Sequence, residues 1–277
     1  MEWLEEMCAV FDGRVGVAAL NLETNEQFLV HAEEWFPTAS AIKLAVLAAL
    51  MQQVEEGAYS LETPLMLRRA DHVTGSGILQ FLTPGAVLPL RDWAFLMMNL
   101  SDNLATNVLI DHVGLTAVQK WLVDNDFPDV QLHRKIDFGV LAQDITQLGT
   151  ATPAGLNRLM TAVFRHELLS PAACTEMLRM MNKVGSERVG RYLPFAFYGD
   201  DTPEAEKLQL AGKTGSLKGC RVQTAVVWRG SNENQRGFSI TVMADGDPAP
   251  ELWSADAAGV LLIGRIAQAV YERVFRS

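Results

Sequence analysis

The segment from Phe36 to Leu50 is apolar on nearly every face of a helix, interrupted by one ammonium group, that of Lys43. A helix with no polar side has nothing to present to water, so it must run through the interior with other elements packed all round it. Surrounding it takes apolar mass, and 277 residues at 49% hydrophobic supply it within one large domain or two interlocked ones. Burial disfavours the charged form of a lysine, so Lys43 is expected to be an amine able to give up its proton near neutrality. Ser40 lies three positions earlier, on the same face of the helix. In the first turn it also meets free backbone N–H groups and the positive end of the helix dipole. The pair has the makings of a nucleophile and its general base.

Residues 14–21 and 27–31 read as two short strands around the polar turn Glu23-Thr24-Asn25-Glu26, and 222–229 with 238–244 read as a second hairpin around the polar loop 230–234. Between them the apolar spacing predicts helices over 41–56, 90–100, 104–113, 116–124, 154–166 and 171–183, with a long terminal helix over 254–275. A lone hairpin is marginal in water, so the two strand sets should merge into one antiparallel sheet covered by the first and last helices. The fold class expected is α+β: residues 1–44 and 206–277 form one α/β lobe, and 45–205 form a mostly helical lobe. A small-molecule site belongs in the cleft between them.

With 33 acidic against 23 basic residues the net charge is −10, which repels a phosphate backbone and argues against nucleic acid as a partner. The run His133-Arg134-Lys135 reads as a solvated turn. Cys8, Cys174 and Cys220 are odd in number and widely spaced, so buried free thiols are expected rather than disulfides or a zinc site. The five histidines, His31, His72, His112, His133 and His166, lack metal-ligand spacing. No stretch reaches the ~18 apolar residues of a membrane span. The acidic start Met1-Glu2-Trp3-Leu4-Glu5-Glu6 lacks a secretory signal's basic and apolar regions. On the chain as given this points to the cytoplasm, or to a periplasmic or secreted protein whose leader has been removed.

Two further motifs bear on Ser40. Ser101-Asp102-Asn103 stands at the junction of two helical patterns, where residues two apart can both face a cleft while Asp102 turns back to brace the loop. Lys213-Thr214-Gly215-Ser216 comes just before the strand pattern at 222; its cation and hydroxyls can hold a carboxylate, and the glycine lets a ligand come close to the backbone. Each alone also reads as a helix cap or a strand-end turn. All three in this order and separation are expected by chance in on the order of one chain in a thousand.

The trio resembles that of class A β-lactamases and penicillin-binding serine hydrolases. The resemblance runs from about Val15 to Phe275 and takes in Phe36-Pro37 and Thr152-Pro153. It implies the β-lactamase/transpeptidase fold, catalytic roles for Ser40, Lys43 and Ser101, and substrate binding by Asn103, Lys213, Thr214, Gly215 and Ser216. In these roles Ser40 attacks a lactam or ester carbonyl, Lys43 takes its proton and Ser101 relays a proton to the leaving nitrogen. Asn103 binds the acylamido group, and Lys213, Thr214 and Ser216 hold the carboxylate. The substrate implied is a small molecule, a β-lactam or an acyl-D-amino-acid-like amide or ester, with no metal or organic cofactor. Arg221 reads as a surface or cross-strand arginine that could add positive charge.

One family element is missing. The E-x-x-L-N motif, whose glutamate activates the deacylating water, has no counterpart in 132–153, where the only carboxylates are Asp137 and Asp144. Either could substitute or simply brace its loop. Three readings follow: a hydrolase acting on β-lactams or D-Ala-D-Ala-like substrates, a penicillin-binding or sensor protein that stops at the acyl-enzyme, and a glutaminase of the same general fold. The second and third motifs argue against the last.

Overall fold

The computed structural model describes residues 2–182, 188–195, 203, 207–230 and 236–276. Helix α1 (Glu2–Ala9) leads into the hairpin of β1 (Arg14–Asn21) and β2 (Gln27–Val30), and β3 (Phe36–Pro37) with a 3-10 turn (Ala39–Ile42) then feeds α2 (Lys43–Glu55). The small hairpin of β4 (Pro64–Met66) and β5 (Val87–Pro89) precedes α3 (Leu90–Asn99), α4 (Asn103–Val113) and α5 (Leu115–Asp124). Next come β6 (Val130–Leu132), α6 (Phe138–Leu141), β7 (Gly149–Ala151), α7 (Pro153–Phe164) and α8 (Pro171–Met181). The chain closes with β8 (Gln209–Leu217), β9 (Cys220–Arg229), β10 (Arg236–Asp245) and α9 (Ala258–Phe275).

The two terminal strand sets merge as expected. The main sheet runs β2-β1-β10-β9-β8, all antiparallel, and β1 joins the halves by pairing with β10, Val17 opposite Val242. Helices cover both faces, so β9 and β10 are buried almost throughout instead of alternating. On one face Val17, Phe28, Val227 and Ile240 pack against α1 and α9 through Leu4, Ile263 and Ile266. The other face joins the helical core through Val222, Val226 and Met243. At the centre of that core lies α2, buried from Lys43 through Met51 as its all-round apolar sequence demands. All three cysteines are free and buried. No helix among the described residues is long and apolar enough to cross a membrane.

Three expectations need correction. Lys213-Thr214-Gly215-Ser216 precedes the strand that holds residue 222, β9, but is not a strand-end turn: it lies inside β8, and Lys218 with Gly219 makes the turn into β9. Two glycines and a lysine suppress the local strand signal, and pairing with β9, Lys213 opposite Thr224, overrides it. The terminal helix starts at Ala258, because Ser254–Ala257 close a turn in which Ala257 N–H donates to Ser254 O. Arg221 is the cross-strand arginine of the two alternatives, opposite Ser216 and Ala244, but it is not on the surface: it is 1% exposed, and its guanidinium donates to the carbonyls of Leu217, Cys220 and Leu252. Of the expected polar loop, residues 231–234 lie outside the described residues, as do Lys183 and the 205–206 boundary between lobes.

Candidate active site

The turn that carries Ser40 is pinned from both sides. Thr38 N–H and Oγ1–H both donate to Gly149 O, each at 3.0 Å, tying the turn to β7. Ala39 then takes a left-handed φ of +46°, unusual for a residue with a Cβ, and aims the 3-10 turn at β8. A Cβ on Gly215 would lie 2.7 Å from Thr38 O and 3.0 Å from Ala41 N. The glycine of the third motif therefore admits the protein's own nucleophile turn against β8, where the sequence reading has it admitting a ligand.

The two lysines of the motifs meet. Lys43 and Lys213 are both fully buried, and Ser101 Oγ is 3.1 Å from Lys43 Nζ and 3.0 Å from Lys213 Nζ. Lys43 Nζ also donates to Ser101 O at 2.8 Å and Asn103 Oδ1 at 3.1 Å, and Lys213 Nζ donates to Thr214 O at 2.8 Å. Burial first, and then the Lys213 charge, push the Lys43 ammonium well below its ordinary pKa, against a smaller opposing pull from Asp102. No hydrogen bond joins Lys43 to Ser40 Oγ among the described residues, so the amine is held by the Ser101–Asn103 segment.

That segment is itself strained and braced. Ser101 has φ +53°, and the next residue, Asp102, is a buried carboxylate whose Oδ2 accepts from the N–H groups of Ile78 and Leu79 at 2.7 and 2.9 Å. Its Oδ1 caps α4 by accepting from Ala105 N–H at 3.0 Å. Gly77, at φ +100°, makes the approach possible, since a Cβ there would sit 2.1 Å from Asp102 Oδ2. Asp102 thus braces the loop as its position in the motif suggests.

A cavity of about 430 Å3 opens on this cluster. Ser40, Asn103 and Ser216 line it together with Gly75, Ser76, Leu217, Trp253 and the apolar quartet Ile136, Phe138, Leu141 and Leu148. Lys43, Ser101 and Lys213 connect to the lining through the hydrogen bonds above, while Thr214 and Gly215 flank it on β8. Neither candidate carboxylate lines the cavity. Asp137 caps α6 by accepting from Gly139 and Val140 N–H, and Asp144 accepts from Thr146 N–H, Thr146 Oγ1–H and Gln147 Nε2–H, bonds that hold its pKa below the usual value.

A family model described as "Beta-lactamase enzyme family" matches residues 2–274. The chain belongs to the class A β-lactamase family. Beta-lactamase CARB-3 of Pseudomonas aeruginosa is 30% identical over 83% of this chain and 76% of its own. The solved β-lactamase of Sphaerobacter thermophilus superposes with a TM-score of 0.82 at 26% identity, covering 99% of this chain and 97% of that one. A mutant of PBP-A, solved as an acyl-enzyme complex with penicillin G, reaches 0.82 at 22% identity over 100% and 96%. The β-lactamase/transpeptidase fold anticipated from the three motifs is therefore the fold of this chain.

Two residues of this β-lactamase family member escape the motif reading. Arg188, which lies between α8 and β8, donates from Nη1 to Gly215 O and Val222 O at 2.7 Å each and from Nη2 to Ser216 Oγ at 2.6 Å. No local pattern marks it, because its partners lie 27 to 34 positions further along the chain. Trp253, between β10 and α9, reaches the cavity from a segment with no motif.

Proposed function

We propose that this protein forms an acyl-enzyme at Ser40 with β-lactams or related amides and esters. The observation that carries the reading is the hydrogen-bond arithmetic at Lys43. A neutral amine has two N–H donors and one lone pair; Ser101 O and Asn103 Oδ1 take the donors, and the lone pair is left for a hydroxyl, that of Ser101 at 3.1 Å in the resting site and that of Ser40 on attack. Lys43 then takes the Ser40 proton as Oγ bonds to the carbonyl carbon. Backbone N–H groups of Ser40 and Ser216 receive the oxyanion, each such donor typically worth ~3 kcal/mol. When the C–N bond breaks, Ser101, in contact with both lysines, passes the proton to the leaving nitrogen. Asn103 binds the acylamido group, and Lys213, Thr214 and Ser216 bind the carboxylate, with the Arg188 guanidinium behind Ser216 adding positive charge.

The cavity wall favours a lingering adduct over fast turnover. The loop that would have to activate the hydrolytic water offers Ile136, Phe138, Leu141 and Leu148, and both of its carboxylates are engaged as caps. The PBP-A mutant, which shares this fold, is solved as an acyl-enzyme complex with penicillin G. A chromogenic cephalosporin followed by absorbance and intact mass together tests both halves. The expected result is a stoichiometric burst and a persistent adduct, both abolished in Ser40→Ala. An adduct retained in Ser40→Ala would refute the nucleophile; steady turnover with no adduct would refute slow deacylation.

A further inference from the structure

Trp253 is a large aromatic side chain left 57% exposed, yet it is fixed in place. The Arg221 guanidinium lies 4.9 Å from the centroid of its ring, and Arg221 is held by three carbonyls, those of Leu217, Cys220 and Leu252. The loop before it is fastened as well: Asp247 N–H donates to Gly219 O at 2.9 Å, and the Asp247 carboxylate accepts from Ala249 and Gly259 N–H. A buried cation thus serves as a post under one face of the indole. The ring lines the cavity beside Ser40, Ser216 and Leu217.

We infer that Trp253 is a specificity-determining residue that stacks on planar, uncharged, aromatic acyl groups. The assignment rests on Ser40 being the acyl acceptor. Leu217, whose carbonyl accepts from the same Arg221 guanidinium that lies under the Trp253 ring, is four residues beyond Lys213 on β8, ~13 Å at the ~3.3 Å rise of a strand. A substrate whose carboxylate sits at the Lys213 end of this stretch and which runs along β8 brings its acyl end toward Trp253. Among the described residues none that lines the cavity carries an ionisable side chain, and Phe138, Ile136, Leu141 and Leu148 add further apolar surface. The Arg221 charge under the ring draws its electron density away from the outer face, which suits offset stacking of a neutral ring and disfavours a second cation.

The test compares benzylpenicillin with 6-acetamidopenicillanic acid, which differ only by a phenyl ring and carry the same charge. Second-order acylation rate constants are read by intact mass on the full chain. The parent should favour the benzyl compound at least 10-fold; Trp253→Ala should lower that ratio about 10-fold, Trp253→Leu less, and Trp253→Phe should keep most of it. Adduct formation with the same ratio in parent and variants, or a parent with no preference, would overturn the Trp253 assignment alone. A parent that gives neither an adduct nor hydrolysed product with either compound would overturn the Ser40 reading along with it.

Discussion

Asn107 holds Ile136 by both of that residue's main-chain polar groups: Asn107 Nδ2 donates to Ile136 O at 2.9 Å, and Ile136 N–H donates to Asn107 Oδ1 at 2.8 Å. The clamp fixes the backbone of a residue whose side chain faces the Ser40 cavity, so the side chain can change while its place does not. Ile136→Glu should install a carboxylate able to activate water and shorten the lifetime of the acyl adduct by ~10² or more. Its apolar neighbours would raise the new pKa, so the gain should appear as pH climbs past the usual carboxylate range. Asp137→Asn and Asp144→Asn should leave adduct decay unchanged. Mass-resolved decay of a preformed adduct checks all three, and equal lifetimes in the parent and the glutamate variant would count against this placement.

Lys43→Arg keeps a cation but removes an amine that can be neutral. Acylation should slow by ~10² or more, as should Lys43→Ala. In the parent, burial and Lys213 place the Lys43 titration well below 10.5, so acylation should fall as pH drops through that depressed value. Between the folded and unfolded values the unfolded chain binds a proton that the folded chain does not, so stability should rise with pH across that window. A pH-independent acylation rate in the parent would contradict the base assignment.

Asp102→Ala should destabilise the fold by about 3 kcal/mol or more, read as a lowered urea midpoint. The change leaves Ile78, Leu79 and Ala105 N–H without their acceptor in a buried setting. A variant as stable as the parent would show that the brace is dispensable.

Much of this was legible in the sequence, for reasons visible in single residues. The α2 helix shows because an uninterrupted apolar surface has one physical solution, and α4 shows because Asp102 is a good cap before a 3.6-residue repeat. Asp137 and Asp144 both precede tight turns whose N–H groups they accept, so bracing was their plainer reading. β8 was hidden because Gly212, Lys213 and Gly215 contribute no strand preference of their own, and what makes them a strand is the neighbouring β9. Arg188, Arg221 and Trp253 act through carbonyls, hydroxyls and rings brought together only by folding, which no local spacing encodes.

The left-handed backbone at Ala39 and at Ser101 has a consequence for how such a molecule can change over time. Each distortion typically costs ~1 to 3 kcal/mol, and each sits beside or within a group that must be aimed. Mutations that let either residue relax would make the protein hardier to heat while blunting its reactivity. Durability and chemical power are therefore rivals in this chain, and selection for one draws on the other.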